Sequence, residues 1–324
     1  MGPVPALLLG LAALVVGADM VVREGSALAA RFHLSPLVIG MTVVSLGTSL
    51  PELAIGITAA QQGNGGLAVG NIVGTNVVNV LLILGLSALL RPIDFELRTL
   101  RVDLPAMAGA ALLLYVLARD GSLATADGWW MCAYGAAYLA LMIELARRDA
   151  RRVRLVRDSG GGPAPAKTRP RPVALALPLL LLGLAVIVAG AEFLVDGAVE
   201  IARDLGAGDA LIGLTVVAVG TSAPELVTTV VATVRGGDRS IALGNLIGSS
   251  VFNIALILGP TVLVAPGAVP VPDDVLALDL IVMVAAAIVC VPVIVTRRRL
   301  TRVEGGAFVA TYIGYMTWLL TTRL

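Results

Sequence analysis

The chain has 324 residues, of which 58% are hydrophobic and only 14% are charged, and its formal net charge is +1. Soluble domains carry about 25% charged residues, so the composition excludes a water-soluble enzyme, a disordered chain and a disulfide-stapled secreted domain. A net charge this close to zero gives no support for a nucleic-acid partner. The mean hydropathy of +0.94 instead predicts an all-α integral membrane protein in a lipid bilayer.

Ten stretches are candidates for membrane-spanning helices, because a helix needs about 20 mostly apolar residues to cross a bilayer. The first stretch lacks the positive N-terminal region of a signal peptide, so we expect it to be a retained helix. In chain order the stretches are residues 3–22, 36–60, 67–90, 102–118, 128–146, 173–195, 210–234, 241–265, 276–296 and 305–322.

The basic residues predict how these helices are oriented, because cytoplasmic loops carry an excess of Lys and Arg. If the N-terminus lies outside, the loops that face inward hold 20 of the 23 basic residues. This asymmetry predicts ten spans in the cell (inner or plasma) membrane, with both termini outside. The segment 147–172 is rich in Arg, Gly and Pro and is predicted to be a flexible cytoplasmic linker.

The chain contains an internal repeat. Residues 40–53 (GMTVVSLGTSLPEL) and 213–226 (GLTVVAVGTSAPEL) are identical at 10 of 14 positions, and residues 70–85 match 244–259 at 9 of 16. The offset leaves five predicted spans in each half, and an odd number means that the halves enter the membrane from opposite sides. We therefore predict a first five-helix repeat (1–146), the linker and a second, inverted repeat (173–324), an arrangement typical of secondary transporters.

Polar residues recur at the same places in both repeats. Pro51 and Pro224 must kink or break the second span of each half, because proline lacks a backbone donor. Glu52 and Glu225 follow them, although an ionisable group at the bilayer centre costs about 2.5–3.5 kcal/mol. Further oxygen-bearing groups share these helix faces or lie on the third spans: Ser45, Thr48, Ser49, Ala218, Thr221, Ser222, Thr75, Asn79, Ser249 and Asn253.

These groups predict a cation site. Hydrogen bonding between helices is the alternative, but it explains poorly why Glu, Thr, Ser and Pro recur together. No histidine or thiol pair lies in the predicted spans, so a transition metal would lack its preferred ligands. Two carboxylates with hydroxyl, amide and carbonyl oxygens suit Ca²⁺, and Na⁺ can use the same atoms.

The paired segments GTSLPEL/GTSAPEL and GNIVGTNVVN/GNLIGSSVFN resemble the two alpha-repeats of the sodium/calcium exchanger family, in the calcium/cation antiporter superfamily, and the resemblance covers nearly the whole chain. It implies that Glu52 and Glu225 are the central carboxylate ligands. It also implies hydroxyl, amide or carbonyl ligands at Thr48, Ser49, Thr221, Ser222, Thr75, Asn79, Ser249 and Asn253, and backbone carbonyl ligands at Ser45 and Ala218. Some similar members have Asp where this chain has Asn253, and the amide argues against potassium co-transport.

The resemblance further implies a secondary antiporter that exchanges Na⁺ for Ca²⁺ by alternating access and extrudes Ca²⁺. We expect no enzymatic activity, no prosthetic group and no obligatory protein partner. Two alternatives stay open at this point. Carboxylates that bind Ca²⁺ can also bind H⁺, which would make the protein a proton/calcium exchanger of the same fold, and a cation channel would conduct with no counter-ion.

Overall fold

The computed structural model describes residues 2–32, 34, 36–63, 65–158, 172–204, 218–234 and 239–323. The regular secondary structure within these residues is helical apart from four two-residue strands, which confirms the predicted all-α class. Twelve helices are numbered here in chain order: α1 Pro3–Phe32, α2 Leu37–Thr48, α3 Leu50–Gln61, α4 Gly65–Leu90, α5 Thr99–Asp120, α6 Thr125–Asp158, α7 Val173–Asp204, α8 Ala218–Thr221, α9 Ala223–Val234, α10 Ser240–Val264, α11 Val275–Arg297 and α12 Arg302–Arg323.

Six of the described helices are long and apolar enough to cross a membrane: α1, α4, α5, α6, α7 and α10. The pair α2–α3, bent by 42°, adds a seventh if the two count as one span. The predicted span 210–234 is described only from Ala218 onward, and α9 is a short apolar helix of 12 residues. The chain is thus a multi-pass helical membrane protein, and the count of ten spans stays a prediction.

Helices α1 and α7 pack against each other through glycines. A Cβ added at Gly10 would lie 2.7 Å from the carbonyl oxygen of Gly190, and a Cβ at Gly190 would lie 3.0 Å from that of Gly10. Gly17 and Gly183 oppose each other one heptad away, at 2.8 and 3.2 Å. Small residues let membrane helices approach until their backbones touch, so α1 and α7 form one closely packed antiparallel pair.

The strands join the two halves of the chain at the helix ends. β1 (Ile93–Asp94) pairs antiparallel with β4 (Arg299–Leu300), and β2 (Ser122–Leu123) pairs with β3 (Val269–Pro270). Each pair links a loop of the first half to a loop of the second. One residue of each strand (Ile93, Leu123, Val269 and Leu300) is buried in the main hydrophobic core, so the strand pairs fix the ends of the adjoining helices against it.

The predicted linker is partly helical. Helix α6 continues through Asp158, and where its apolar part ends Arg148 forms an ion pair with Glu144 at 2.7 Å, one helical turn away. Oppositely charged residues at this spacing stabilise a helix. The prediction of a flexible linker over 147–172 did not consider this effect. Residues 159–171 lie outside the described residues.

Candidate cation site

The second span of the first half breaks at Ser49. Helix α2 ends at Thr48 and α3 begins at Leu50, with Ser49 at φ −88° and ψ 7° between them. Pro51, in the first turn of α3, has no N–H to donate to the preceding turn, so the predicted break occurs. The second half repeats this geometry, because α8 ends at Thr221, Ser222 forms a turn, and α9 begins at Ala223.

Each break places a glutamate in the first turn of the helix that follows it. Glu52 and Glu225 have no exposed surface, and the two carboxylates lie near enough to interact electrostatically. The N-terminus of a helix carries a partial positive charge that favours a carboxylate. Both oxygens of Glu52 and Oε2 of Glu225 are nevertheless buried without a hydrogen-bond partner among the described residues.

Hydroxyl groups connect the first break to the third span of the second half. Ser249 Oγ lies 3.1 Å from Ser45 Oγ, and Ser49 Oγ donates to it at 3.4 Å. Ser249 Oγ in turn donates to Glu225 Oε1 at 3.3 Å. Residues about 200 positions apart in the sequence therefore meet around one carboxylate.

Glycines allow this contact. A Cβ at Gly40 would collide with the carbonyl of Ile241, and a Cβ at Gly244 with the carbonyl of Leu37. One turn further along α10, a Cβ at Gly248 would lie 2.8 Å from the Met41 carbonyl oxygen. Helices α2 and α10 can approach this closely only because these positions lack side chains.

The third spans contribute amides from π-helical segments and hydroxyls from the α-helical turn before them. Helix α4 is π-helical over Val78–Leu84, and α10 over Asn253–Leu258. Such segments within α-helices occur frequently at functional sites. Thr75, Asn79, Ser249 and Asn253 are buried at 0–1% exposure. The hydroxyl of Thr75, both amide atoms of Asn79 and the amide oxygen of Asn253 have no hydrogen-bond partner among the described residues.

The remaining predicted ligands are placed less directly. Thr221 and Ser222 are buried at the second break. Ala218 starts α8, and its backbone alone is described. The carbonyl of Ser45 accepts a hydrogen bond from the Ser49 N–H at 3.1 Å. The Thr48 hydroxyl, which has a single hydrogen to donate, lies 3.3 Å from this carbonyl and 3.0 Å from Asn245 Oδ1.

The sequence-based prediction missed two asparagines beside the site. Asn245 Oδ1 accepts a hydrogen bond from the Thr48 hydroxyl at 3.0 Å, and Asn76 Oδ1 accepts one from Asn253 Nδ2 at 3.3 Å. A signal for Asn245 was present, because the third-span motif of each repeat begins with Gly-Asn, at 70–71 and 244–245. Asn76 has no such signal, since its counterpart in the second repeat is Ser250.

Chemically, the cluster is a buried set of hydroxyl, amide and carboxyl groups with two acidic members. Buried polar atoms in native proteins are hydrogen-bonded as a rule, and exceptions need an explanation. Among the predicted ligands, side-chain oxygens of Glu52, Glu225, Thr75, Asn79 and Asn253 have no hydrogen-bond partner within the described residues, although such atoms also occur elsewhere, for example in Ser87 and Asp103. The oxygens of these predicted ligands are of the types that hard cations such as Ca²⁺ prefer.

Comparison with known proteins gives a consistent result. The family profile described as "Sodium/calcium exchanger protein" matches residues 3–144 and 175–321. The sodium/calcium exchanger MaX1 of Methanosarcina acetivorans is 37% identical over 342 residues, covering 97% of each chain. The inner membrane protein YrbG of Escherichia coli is 37% identical over 273 residues, covering 81% of this chain and 79% of YrbG.

Solved structures extend the comparison to the fold. The sodium-calcium exchanger NCX_Mj, soaked with 2.5 mM Na⁺ and 0.1 mM Ca²⁺, has a TM-score of 0.81 and is 29% identical, with 98% of this chain and 99% of that chain covered. The match spans both halves of the sequence and includes the helices that carry Glu52 and Glu225. The chain is therefore a member of the sodium/calcium exchanger family.

Proposed function

We propose that this protein is a secondary antiporter that exchanges Na⁺ for Ca²⁺ across the cell membrane and extrudes Ca²⁺. The observation that carries the proposal is the pair of fully buried glutamates, Glu52 and Glu225. Ser249 donates to one oxygen of Glu225, and the other three carboxylate oxygens have no hydrogen-bond partner among the described residues. Burying two carboxylates at membrane depth costs about 5–7 kcal/mol on insertion scales. A bound cation offsets that cost, and either one Ca²⁺ or several Na⁺ can supply the charge.

The transported ions are substrates held by the twelve residues selected from the sequence. Glu52 and Glu225 supply the charge, and Thr48, Ser49, Thr221 and Ser222 supply oxygens at the two breaks. Thr75, Asn79, Ser249 and Asn253 supply oxygens from the third spans, and Ser45 and Ala218 supply backbone carbonyls. Calcium takes six to eight oxygens, so this set is large enough for one Ca²⁺ or for Na⁺ ions in adjacent positions.

Alternating access is proposed to follow from two inverted repeats, 1–146 and 173–324, joined by the linker 147–172. Ten membrane spans would then place both termini outside and the linker in the cytoplasm. The two blocks of the family match, separated by residues 145–174, support this division. The relative YrbG is named an inner membrane protein, which supports the same location for this chain. The α1–α7 pair, held by reciprocal glycine contacts, is a candidate for the unit that moves.

Flux measurements in proteoliposomes test the proposal. An outward-directed Na⁺ gradient should drive ⁴⁵Ca uptake into vesicles, and Glu52→Gln and Glu225→Gln should each abolish it while leaving the protein folded. If three Na⁺ exchange for one Ca²⁺, a potential of 100 mV changes the driving force by about 2.3 kcal/mol per net charge. Uptake driven by a pH gradient without Na⁺ would assign a proton/calcium exchanger, and uptake that needs no counter-ion would assign a channel.

A further inference from the structure

Asn76 lies beside the cation site without belonging to the predicted ligand set. Its side chain is 3% exposed, and its amide nitrogen donates to the backbone carbonyl of Ser250 at 3.2 Å. The same nitrogen lies 3.8 Å from the sulfur of Met283. A carbonyl oxygen can only accept, so this contact decides which end of the Asn76 amide faces Ser250. The Asn76 oxygen must then face Asn253.

The orientation of Asn76 determines the orientation of Asn253. Asn253 Nδ2 donates to Asn76 Oδ1 at 3.3 Å. The other end of the Asn253 amide, Oδ1, is buried and has no hydrogen-bond partner among the described residues. The nitrogen is thus used to hold the side chain, and the oxygen is the atom left for a ligand.

The two repeats differ at this point. Ser250 is the counterpart of Asn76, and its hydroxyl donates to the Leu246 carbonyl of its own helix at 3.0 Å. Asn79 is the counterpart of Asn253, and both its amide nitrogen and its amide oxygen are buried without a partner within the described residues. A protein hydrogen bond therefore orients the Asn253 amide, and none within the described residues orients that of Asn79.

The position of Asn76 in the fold explains why only one amide is held. Asn76 lines a cavity of about 10 Å³ together with residues that correspond pairwise between the repeats. Asn76 and Ser250, and Val80 and Ile254, are counterparts in the aligned segments 70–85 and 244–259. Met107 and Ala111 lie four and eight residues after Asp103, which precedes the α-helical part of α5, just as Met283 and Ala287 follow Asp279 in α11. A cavity lined by such pairs lies on the pseudo-twofold axis that relates the halves. A single side chain next to this axis can reach one of the two amides and not both.

We propose that Asn76 is a positioning residue that fixes Asn253 as an amide-oxygen ligand, while the orientation of the Asn79 amide is set by the ion. This inference rests on the proposed exchange function, because it assigns a role toward the transported cation. A preset oxygen favours Ca²⁺, which needs many oxygens at once. Residues that orient a metal ligand typically change metal affinity by about 10- to 100-fold when they are removed.

The decisive variant is Asn76→Ser. It places serine at this position in both repeats, because the second repeat already has Ser250 there. We expect its Ca²⁺ dissociation constant, measured by titration calorimetry in detergent, to rise about tenfold or more. Ser250→Ala is the matched control across the axis. It removes a hydroxyl that hydrogen-bonds only within its own helix and keeps the backbone carbonyl that accepts from Asn76, so we expect wild-type Ca²⁺ affinity.

Repeating the Asn76→Ser substitution in an Asn253→Asp variant distinguishes a role in positioning Asn253 from a general role in stability. In Asn253→Asp, both side-chain oxygens can bind a cation, so Asn76 is not needed to present one, and its amide oxygen faces an acceptor instead of a donor. Adding Asn76→Ser in this variant should therefore leave Ca²⁺ affinity unchanged or raise it, and should not lower it. An equal loss in both backgrounds, or no loss in the single variant, would overturn the proposal. Unfolding temperatures without Ca²⁺ verify folding, and Asn76→Thr replaces the serine variant if that one does not fold. Wild-type Ca²⁺ affinity in Glu52→Gln would instead refute the proposed function itself.

Discussion

Gly248 offers a direct test of how closely α2 and α10 must approach. A Cβ at this position would lie 2.8 Å from the Met41 carbonyl oxygen, 2.9 Å from the Met41 Cα and 3.0 Å from Ser45 Oγ. Ordinary van der Waals contact of a Cβ begins at 3.4 Å. Two of the three atoms belong to the backbone, so Gly248→Ala must move α2 away from α10 by about 0.5 Å.

That displacement is large compared with the tolerance of the site. The Ser45 Oγ–Ser249 Oγ distance of 3.1 Å would grow to about 3.6 Å, which is too long for a hydrogen bond. A misplacement of 1 Å can cost about 100-fold in rate, so half of that should lower Ca²⁺ flux on the order of tenfold. Overpacking costs about 1–3 kcal/mol, and the better helix propensity of alanine offsets about 1 kcal/mol. The net destabilisation should be about 0–2 kcal/mol.

Sodium-driven ⁴⁵Ca flux and thermal unfolding of the same preparation measure the two effects separately. Gly314→Ala in α12 is the matched control, because an added Cβ there has no atom of the described residues within 4 Å. We expect the control to keep wild-type flux and a wild-type or slightly higher unfolding temperature. Wild-type flux in Gly248→Ala would show that close approach of α2 and α10 is not what holds the site together.

Three further variants probe other parts of the structure. Gly190→Val would place its Cβ 2.9–3.0 Å from backbone atoms of α1, so we expect at least about 2 kcal/mol of destabilisation, measured by thermal unfolding. Tyr138→Phe removes the hydroxyl that donates to buried Asp103 at 3.2 Å, which should cost about 1–3 kcal/mol in the same measurement. Asn245→Leu removes the acceptor of the Thr48 hydroxyl and should weaken Ca²⁺ binding about tenfold in titration calorimetry.

Each of these expectations has its own control. Leu182 lies on the exposed face of the same helix as Gly190, so Leu182→Val should leave the unfolding temperature unchanged. An equal loss of stability in both variants would mean that the glycine contact does not cause the loss in Gly190→Val. In an Asp103→Asn background, Tyr138→Phe should cost less than in the wild type, because the buried charge is gone. Unchanged Ca²⁺ affinity in Asn245→Leu would show that Thr48 needs no acceptor to serve the site.

Much of the helical framework follows from local sequence. Runs of about 20 apolar residues predict helices, because a helix satisfies all of its backbone hydrogen bonds within one segment, as lipid requires. The breaks at Ser49 and Ser222 were predicted from Pro51 and Pro224, because proline acts on its own turn. The extension of α6 through Asp158 was missed, since charge pairs such as Arg148–Glu144 can maintain a helix after the apolar pattern ends.

The candidate site was predictable as a set of residues because the repeat presents the same polar groups twice. Their connections were not predictable. The engaged Ser45 carbonyl and the Thr48–Asn245 bond depend on which helices meet, and the sequence does not state that α2 packs on α10. The glycines at 40, 244 and 248 become meaningful only once the opposing carbonyls are known.

The sequence by itself determined the membrane class, the internal repeat and the two acidic groups, because hydropathy, proline breaks and residue identity act locally or by direct comparison of segments. Only the tertiary structure decided that Asn253 is held by Asn76 while Asn79 is not. The repeat alignment makes these two amides equivalent. The difference between them arises near the pseudo-twofold axis. There the Asn76 side chain contacts the amide of the second half, Asn253, and none of the described residues makes the equivalent contact with Asn79.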